Sequence, residues 1–503
     1  MYGFNKQFNQ TVFMKEIKLK ALEGFTWVLE QLVSLIELLA EALTPNKHRL
    51  KARFTPSYKI VSKRKKGFNI NGKNIDKKLS MQGVLINGET GSFKSSGVIV
   101  RSILTVDGSQ IIHDPSRELF KLTSGALLKK GYQVLQLDFT NPEISLRFNP
   151  ILRANTKSQI TQLASNIVII NGEDKAEDST FWNQKAIEVI YVLISILKTQ
   201  ELQYQNLCNV AYLLDLMQSK DSMQLVDQLF AGYAPNEELF QKYSSIISQS
   251  SNTLSSVLST AQTAVQIFSL DEAIAEITAT DTIGNFNQLR KEKTVLYIHS
   301  STAKMRYYSK VTSIFLSQYF ESFFEELPAK DDLDVFFHLD ELPVLSISSL
   351  DVICSNIRKY RGAIMGVTQN AVAQLNARYG KRAEAIISNL RTKVYLSADL
   401  KTAESLERTL GKYNYVDKKD GDKLKSRSLL IADEIMSLPA NKALVCVSGL
   451  RPSLVRITPY FKVRKLRELT AIPPFVSPIH TKGETIVLLP LQEMFPEKMN
   501  ADE

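Results

Sequence analysis

The sequence predicts an α/β protein with a central, mostly parallel β-sheet and an all-helical segment inserted between two of its strands. Three observations predict this fold class. Short apolar runs recur along the chain and are mostly continuous, as in strands buried on both faces of a parallel sheet. Between 154 and 270 the apolar residues recur at helical spacing instead. A glycine-rich loop follows the first run and precedes an apolar helix, the strand–loop–helix order of α/β units.

Eight apolar runs carry the strand prediction. They are Gly83–Asn87, Gln110–His113, Tyr132–Asp138, Thr294–His299, Asp334–Asp340, Ala363–Val367, Lys393–Leu396 and Ala443–Val447. In the inserted segment, stripes such as Ile160, Leu163 and Ile167 predict helices with one buried face. No strand pattern interrupts them, so the insertion is expected to be all-α and to follow the third strand.

The length of 503 residues predicts more than one domain, because single cores stop growing near about 250–300 residues. The predicted division is 1–62 as an N-terminal helical segment with a basic linker, 63–153 with 271–470 as the sheet domain, 154–270 as an inserted all-α domain, and 471–503 as a C-terminal tail. The Pro-rich tail, from about Pro473, is expected to be poorly ordered.

The apolar segment Gly24–Leu43 is interrupted by Glu30, Glu37 and Glu41, which lie on one face of a helix. Burying three carboxylates in lipid is unfavourable, so the segment is predicted to be an amphipathic helix rather than a membrane span. No transmembrane helix is predicted, so the expected location is cytoplasmic, with the amphipathic helix either packed on protein or lying on a membrane surface.

Composition excludes several function classes. Three widely spaced cysteines and five histidines show no zinc-ligand spacing, so a disulfide scaffold and a zinc hydrolase are both disfavoured. The net charge of +10 suits a polyanionic partner or an anionic membrane surface, but it also fits an ordinary soluble protein.

The glycine-rich loop predicts a phosphate cradle. It consists of Gly88, Glu89, Thr90, Gly91, Ser92, Phe93, Lys94, Ser95 and Ser96. Glycines let backbone N–H groups surround phosphate oxygens, and the following helix contributes the positive end of its dipole. Lys94 would reach the β- and γ-phosphates of a nucleotide, and Ser95 would ligate Mg²⁺. Phe93 departs from the pattern, which has glycine before the lysine.

Candidate partners of this loop follow later strands. Asp340 and Glu341 end an apolar run, where Asp340 would join the Mg²⁺ shell and Glu341 would polarise the attacking water. Gln369 follows the next run and would sense the γ-phosphate or orient water. Arg358 and Arg361 are each interpreted either as an arginine finger supplied to a neighbouring subunit or as part of a solvated basic face.

Taken together, these motifs resemble the type IV secretion coupling proteins, the TraG/TraD-like hexameric ATPases of bacterial conjugation. The resemblance runs in order from about Lys66 to Phe461. It rests on Gly88–Ser96, His113–Ser124, Leu137–Phe139, Arg147–Pro150, Phe181–Trp182, Leu339–Pro343, Arg358–Gly362, Thr368–Gln369, Ala373–Leu375, Tyr379–Gly380, Ile387–Asn389, Thr392–Lys393, Thr402–Glu404 and Leu410–Lys412.

The resemblance implies a RecA-like P-loop ATPase that uses ATP and Mg²⁺. It implies that Lys94 and Ser95 bind ATP and Mg²⁺, that Asp340 and Glu341 are the Walker B pair, and that Gln369 couples hydrolysis to movement. Arg358 best matches the trans-acting arginine of the family. Ser116 and Arg117 depart from the family's Lys-Gly, and the family's two N-terminal transmembrane helices have no counterpart here.

The implied function is ATP-driven delivery of DNA, or of a relaxase–DNA complex, to a type IV secretion channel in conjugative transfer. The implied partners are DNA bound without sequence preference, a relaxase or other secretion substrate, channel components and five further copies in a homo-hexamer. The competing interpretations are an FtsK-like DNA translocase, a degenerate ATPase that docks substrates, and a general protein remodeller.

Overall fold

The computed structural model describes residues 52–169, 177–232, 237–417, 423–479 and 486–495. The chain forms two compact units, one of 53–410 with 430–503 and one of 1–52 with 411–429. The larger unit includes 53–62, a stretch that the sequence assigned to the N-terminal linker. The predicted amphipathic helix within 24–43 lies outside the described residues.

The larger unit is organised around a nine-stranded sheet. In chain order the strands of the protein are β1 (Val61–Ser62), β2 (Asn74–Ile75), β3 (Val84–Asn87), β4 (Ser109–His113), β5 (Gln133–Asp138), β6 (Thr294–His299), β7 (Val335–Leu339), β8 (Gly362–Thr368), β9 (Thr392–Tyr395), β10 (Lys412–Asp417), β11 (Lys423–Ser428), β12 (Lys442–Val447) and β13 (Ser453–Arg456). The order in the sheet is β13-β12-β9-β3-β8-β7-β4-β6-β5. The strands from β9 to β5 in that order are parallel, whereas β12 and β13 are antiparallel.

All eight predicted strands are present, with bounds shifted by a residue or two. The strands β3, β4, β6, β7 and β8 are buried along their whole length, which explains why their sequences are continuous apolar runs. The mostly parallel sheet predicted from the sequence is therefore confirmed. The prediction missed β13, the β1–β2 pair and the β10–β11 hairpin.

Helices cover both faces of the sheet. They are α1 (Ser57–Ile60), α2 (Lys77–Met81), α3 (Val100–Thr105), α4 (Glu118–Lys129), α5 (Lys157–Ile169), α6 (Glu177–Leu197), α7 (Leu207–Gln218), α8 (Lys220–Gly232), α9 (Glu237–Ile247), α10 (Ser251–Val265), α11 (Ile267–Leu270), α12 (Glu272–Ala279), α13 (Met305–Phe323), α14 (Leu350–Asn356), α15 (Ala371–Tyr379), α16 (Ala383–Asn389), α17 (Leu400–Leu410), α18 (Ala432–Met436), α19 (Arg464–Thr470) and α20 (Leu491–Met494). Between β5 and β6 the described residues contain helices and no strand, in agreement with the helical pattern.

Alternate residues of the strands supply two separate apolar cores. In β3, Leu85 belongs to the core shared with the helices α5–α12, whereas Val84 and Ile86 belong to the core shared with α3 and α4. The inserted helices thus share one continuous core with a face of the sheet. Polar caps start several of them: the side chains of Asn206, Ser250 and Asp271 accept hydrogen bonds from the first turns of α7, α10 and α12.

The expectation of a poorly ordered C-terminal tail is wrong for its described residues. Leu489 and Leu491 are buried in the core of the helical layer. The buried side chain of Asn209 donates to the Val487 carbonyl at 3.0 Å and accepts from the Leu489 N–H at 2.8 Å. Upstream, the Gln136 amide donates a hydrogen bond to the Ser477 hydroxyl at 2.6 Å. The prolines interrupt any helical spacing of apolar residues in this segment, and its apolar side chains nevertheless pack in the core.

The described part of the smaller unit is the hairpin β10–β11, with Lys412 paired to Ser428 and Asp417 to Lys423. Most residues of its strands are exposed or half-buried, and charged and polar residues interrupt the apolar ones, so no apolar run marks them. Within the described ranges, no helix is long and apolar enough to cross a membrane.

Candidate functional site

Except for Arg358 and Arg361, the predicted site residues follow strands that end at one edge of the sheet, termed here the carboxyl edge. The register aligns His113 of β4 with Leu339 of β7, and Asn87 of β3 with Thr368 of β8. The residues that follow these positions therefore emerge side by side. In open parallel sheets this edge is where ligands bind.

The glycine-rich loop leaves β3 and turns into a helix at Lys94. Gly91 has φ of 84°, and Phe93 has φ of 64°, in the left-handed region. A Cβ at Gly88 would lie 2.5 Å from the Ser92 hydroxyl oxygen and 3.0 Å from the Leu396 Cβ, so a larger residue there would displace the Ser92 side chain. The helix starts as a π-helical turn over Lys94–Ile99 and continues as α3.

Phe93 occupies the position at which the sequence pattern has glycine. A left-handed backbone costs a non-glycine residue roughly 1–2 kcal/mol. The side chain is half-buried and packs against the apolar core that contains α3, and the Phe93 carbonyl accepts from the Gly97 N–H at 2.8 Å. The loop thus keeps the backbone conformation that glycine would adopt, and its side-chain packing offsets the strain.

Lys94 folds back over the loop. Its ammonium donates to the carbonyls of Gly88 at 2.5 Å and Glu89 at 3.0 Å, and the residue is only 9% exposed. Burial lowers the pKa of Lys94, and the carboxylates of Glu341, Asp340 and Glu89 oppose that shift. An ammonium group surrounded by the backbone groups of this loop can bind phosphate oxygens.

The two carboxylates after β7 face the same space. Burial, together with the charges of Glu341 and Asp114, raises the pKa of Asp340 to about 7, and Lys94 opposes the rise. Glu341 has a left-handed backbone, with φ of 54°. The Gln369 amide donates to a Glu341 carboxylate oxygen at 3.4 Å. The structure therefore brings Lys94, Asp340, Glu341 and Gln369 together, as the sequence predicted.

A buried polar group lies behind Asp340 and Glu341, and the sequence analysis quoted its residues for the family resemblance without giving them a role. The His113 ring nitrogen Nδ1 lies 2.5 Å from the Asp340 carbonyl oxygen. Asp114 is fully buried, accepts from the Phe120 N–H at 2.7 Å, and has its pKa raised by burial to about 6. The signal that could have found it is a carboxylate directly after a buried strand.

Arg117 is the second departure from the family pattern, and it also has a left-handed backbone, with φ of 59°. Its guanidinium pairs with the fully buried carboxylate of Asp138 and donates to the Thr140 hydroxyl at 3.3 Å. Three of the five non-glycine left-handed residues in the described ranges, Phe93, Arg117 and Glu341, lie in loops of the carboxyl edge.

The arginines 358 and 361 lie at the opposite edge, where β8 begins. Arg361 donates to the Asp334 carboxylate at 2.9 Å and to the Ala329 carbonyl at 3.2 Å, so it braces the start of β7. Arg358 is exposed and makes no side-chain hydrogen bond or ion pair with the described residues. The structure does not bring Arg358 to Lys94 of the same chain, since β8 spans about 20 Å between them.

The residues fit a nucleotide with Mg²⁺. Mg²⁺ usually keeps several waters and binds through one or two protein oxygens plus phosphates. Ser95 and Asp340 are the residues that would supply such a pair. The described ranges contain no group of three or more His, Cys, Asp or Glu side chains that could hold a metal by themselves.

The chain is similar in sequence to known proteins of one family. The family model described as Type IV secretory system Conjugative DNA transfer matches residues 33–482. The protein VirD4 of Rhizobium radiobacter is 22% identical over 408 residues, covering 76% of this chain and 58% of VirD4. VirD4 of Agrobacterium fabrum is 22% identical, covering 76% of this chain and 59% of its own. The chain thus spans less than two thirds of these relatives.

Solved structures share the fold. The bacterial conjugative coupling protein TrwB, in a trigonal form with sulphate, superimposes with a TM-score of 0.66 at 18% identity, covering 82% of this chain and 95% of TrwB. TrwB in complex with ADP and Mg²⁺ gives 0.65 at 18% identity, with the same coverage. TrwB with a non-hydrolysable ATP analogue gives 0.66 at 16% identity, covering 88% and 99%. The RecA-like P-loop fold predicted from the sequence is therefore confirmed.

Proposed function

The chain belongs to the conjugative DNA transfer family of the type IV secretory system, and on that premise we propose that it is an ATP-driven coupling protein. It binds DNA, or a relaxase–DNA complex, and delivers it to a type IV secretion channel. The observation that carries this proposal is the convergence of Lys94, Asp340, Glu341 and Gln369 on one glycine-rich loop at the carboxyl edge.

The proposed roles follow from the contacts. The Lys94 ammonium exchanges its two carbonyl acceptors for phosphate oxygens, and the loop from Gly88 to Ser96 supplies backbone N–H groups. Ser95 and Asp340 hold Mg²⁺, which when bound neutralises the charge that develops on the phosphates. Glu341 orients and polarises a water molecule. Gln369, hydrogen-bonded to Glu341, passes changes at that carboxylate to β8 and α15.

The proposed role of Arg358 depends on assembly of the chain into a ring. Its guanidinium is exposed and remote from the loop of its own chain, as a residue that acts on a neighbouring subunit must be. We therefore assign it the role of a trans-acting arginine in a homo-hexameric ring. Relaxase or another secretion substrate and channel components complete the proposed partners, at the inner face of the cytoplasmic membrane.

The direct test is nucleotide binding by the wild-type protein and by Lys94→Ala, with Lys129→Ala on the opposite edge as a charge-matched control. ATP with Mg²⁺ is expected to raise the unfolding temperature of the wild type and of the control. Lys94→Ala should bind ATP about 10- to 150-fold more weakly, since a charge-assisted contact contributes roughly 1.5–3 kcal/mol. Equal binding by all three proteins would contradict the assignment.

A second candidate function is a degenerate ATPase that docks substrates without turnover. The substitution of glycine by Phe93 favours it. Against it stands the left-handed conformation of Phe93, a backbone region that glycine adopts freely. Steady-state hydrolysis separates the two, because a docking protein would bind cargo and release no phosphate from ATP.

A further inference from the structure

A second concave surface lies on the carboxyl edge, beyond β4. This cleft, termed the β6–α13 cleft, has a volume of ≈ 850 Å³ and is lined by Leu270, Asp271, Lys304, Arg306, Tyr307 and Val344, among others. It forms where the chain leaves β6 at His299 and enters α13 at Met305. Because β6 is four strands from β3, the cleft lies roughly 19 Å from the glycine-rich loop.

The β6–α13 cleft carries unshared positive charge. Lys304 and Arg306 are exposed, and neither side chain makes a hydrogen bond or ion pair with any residue that the structure describes. Asp271 is the acidic residue of the lining. Its carboxylate is already engaged, accepting from the Ile274 N–H at 3.1 Å and from the Tyr308 hydroxyl at 3.4 Å. Two cations therefore remain available to an anionic ligand.

Next to the cations the cleft exposes apolar and aromatic surface. Leu270 is 75% exposed and Tyr307 is 41% exposed. A volume of this size suits a small ligand or one or two nucleotides, not a double helix. Cations beside an exposed aromatic ring are the combination that binds single-stranded nucleic acid, because phosphates meet the charges and unpaired bases stack on the ring. Paired bases are already stacked on each other and gain less from such a ring.

One wall of the cleft is connected to the candidate catalytic carboxylate. Val344 closes the 3-10 turn Leu342–Val344, and its N–H donates to the Glu341 carbonyl at 3.0 Å. Glu341 is also the acceptor of the Gln369 amide. A change in the backbone at Glu341 would therefore reach the wall of the cleft within a single turn.

We propose that the β6–α13 cleft binds single-stranded DNA. Lys304 and Arg306 pair with its phosphates, and Tyr307 stacks on a base. The turn after Glu341 couples this DNA binding to ATP hydrolysis. The proposal rests on the proposed function, which it deepens by assigning a DNA-contacting surface. It makes Lys304, Arg306 and Tyr307 binding residues that lie outside the nucleotide site.

The test uses the full chain and a fluorescent oligothymidylate titrated at several salt concentrations. The variant Lys304→Gln/Arg306→Gln removes both cations, and Lys129→Gln/Lys330→Gln removes the same charge from exposed positions at the opposite edge. The first variant should bind DNA at least about tenfold more weakly, and its slope of log affinity against log salt should shrink by about 1.4. The second should match the wild type.

Two further measurements separate DNA binding from ATP hydrolysis. Tyr307→Leu should weaken DNA binding several-fold and leave the salt slope unchanged, because stacking releases no counterions. Hydrolysis without DNA should be the same in Lys304→Gln/Arg306→Gln as in the wild type, while stimulation by DNA is lost.

Several outcomes would overturn the inference. Unchanged affinity and salt slope in Lys304→Gln/Arg306→Gln would place the DNA elsewhere. Loss of DNA-independent hydrolysis in that variant would assign the two cations to the nucleotide instead. Equal dependence of duplex binding on Tyr307 would remove the preference for single strands. If the wild type binds no nucleotide at all, the proposed function fails, and the titration of DNA still decides whether the cleft binds it.

Discussion

Two loops at the carboxyl edge each hold a non-glycine residue in the left-handed region, and different side-chain contacts stabilise the two residues. The loop after β3 has Phe93 at φ of 64°, and the loop after β4 has Arg117 at φ of 59°. Phe93 is held by packing against an apolar core, whereas Arg117 is held by an ion pair with the buried Asp138. Both are positions where the resemblance calls for glycine.

The difference between the two loops concerns what stabilises a strained backbone. Added NaCl does not screen apolar packing, and pH does not change it, whereas an ion pair with a partly exposed member depends on both. A family that uses glycine at these positions avoids the strain, whereas this chain keeps the conformation and offsets its cost with a side-chain contact. The lost glycine is therefore not by itself a sign of a lost site.

The largest effect is expected for Arg117→Ala. It leaves the fully buried carboxylate of Asp138 without its cation, and unpairing a buried charge costs roughly 3 kcal/mol or more. The measurement is urea unfolding of wild type and variant. Asp138→Asn combined with Arg117→Ala should recover much of the loss. If Arg117→Ala unfolds like the wild type, the ion pair does not hold this loop.

The loop after β4 should make the stability of the protein depend on pH between about pH 4 and 7. Burial raises the pKa of Asp114 to about 6, so the native state binds this proton more tightly than the unfolded state. Stability should therefore fall as pH rises from about 4 to about 6. Asp114→Asn removes this contribution, and the difference between wild type and variant should change by about 2 kcal/mol between pH 4 and 7. A constant difference would show that Asp114 titrates normally.

Phe93→Ala is expected to cost about 1–2 kcal/mol, because the ring is half-buried and the backbone strain remains. In contrast to Arg117→Ala, its effect should not change with added NaCl. Urea unfolding at low and high salt measures both. A salt-dependent effect of Phe93→Ala would mean that the two loops are held by the same kind of interaction.

The smallest effect tests the strain itself. At both positions glycine should be less destabilising than alanine by about 1 kcal/mol, because only glycine adopts the left-handed region freely. The comparison of Phe93→Gly with Phe93→Ala, and of Arg117→Gly with Arg117→Ala, cancels the loss of the side chain. Alanine variants as stable as the glycine variants would show that neither loop is strained.

The sequence predicted the parts of the fold that are buried on both faces. The runs that became β3, β7 and β8 could be assigned because every residue faces a core, and the polar residues after them could be placed at one edge. The hairpin β10–β11 was missed because half-exposed strands such as KLKSRS show no apolar run.

Contacts between distant segments lay beyond the sequence. Nothing in the composition of the tail indicated that Asn209 would hold Leu489 through two backbone hydrogen bonds. Likewise, Arg361 was weighed as an arginine finger, but its pairing with Asp334 depends on how β7 and β8 align. Residue types indicate which interactions are possible, but the pairing of the strands determines which residues are close enough to make them.

The proposed function requires that the glycine-rich loop, with Phe93 in place of glycine, supports ATP hydrolysis. Steady-state hydrolysis by the wild type and by Glu341→Gln, with and without single-stranded DNA, measures this. We predict that the wild type turns over ATP and is stimulated by DNA, while Glu341→Gln binds ATP but hydrolyses it at least about 100-fold more slowly. A wild type that binds ATP and hydrolyses it no faster than Glu341→Gln would be a docking protein and not a motor.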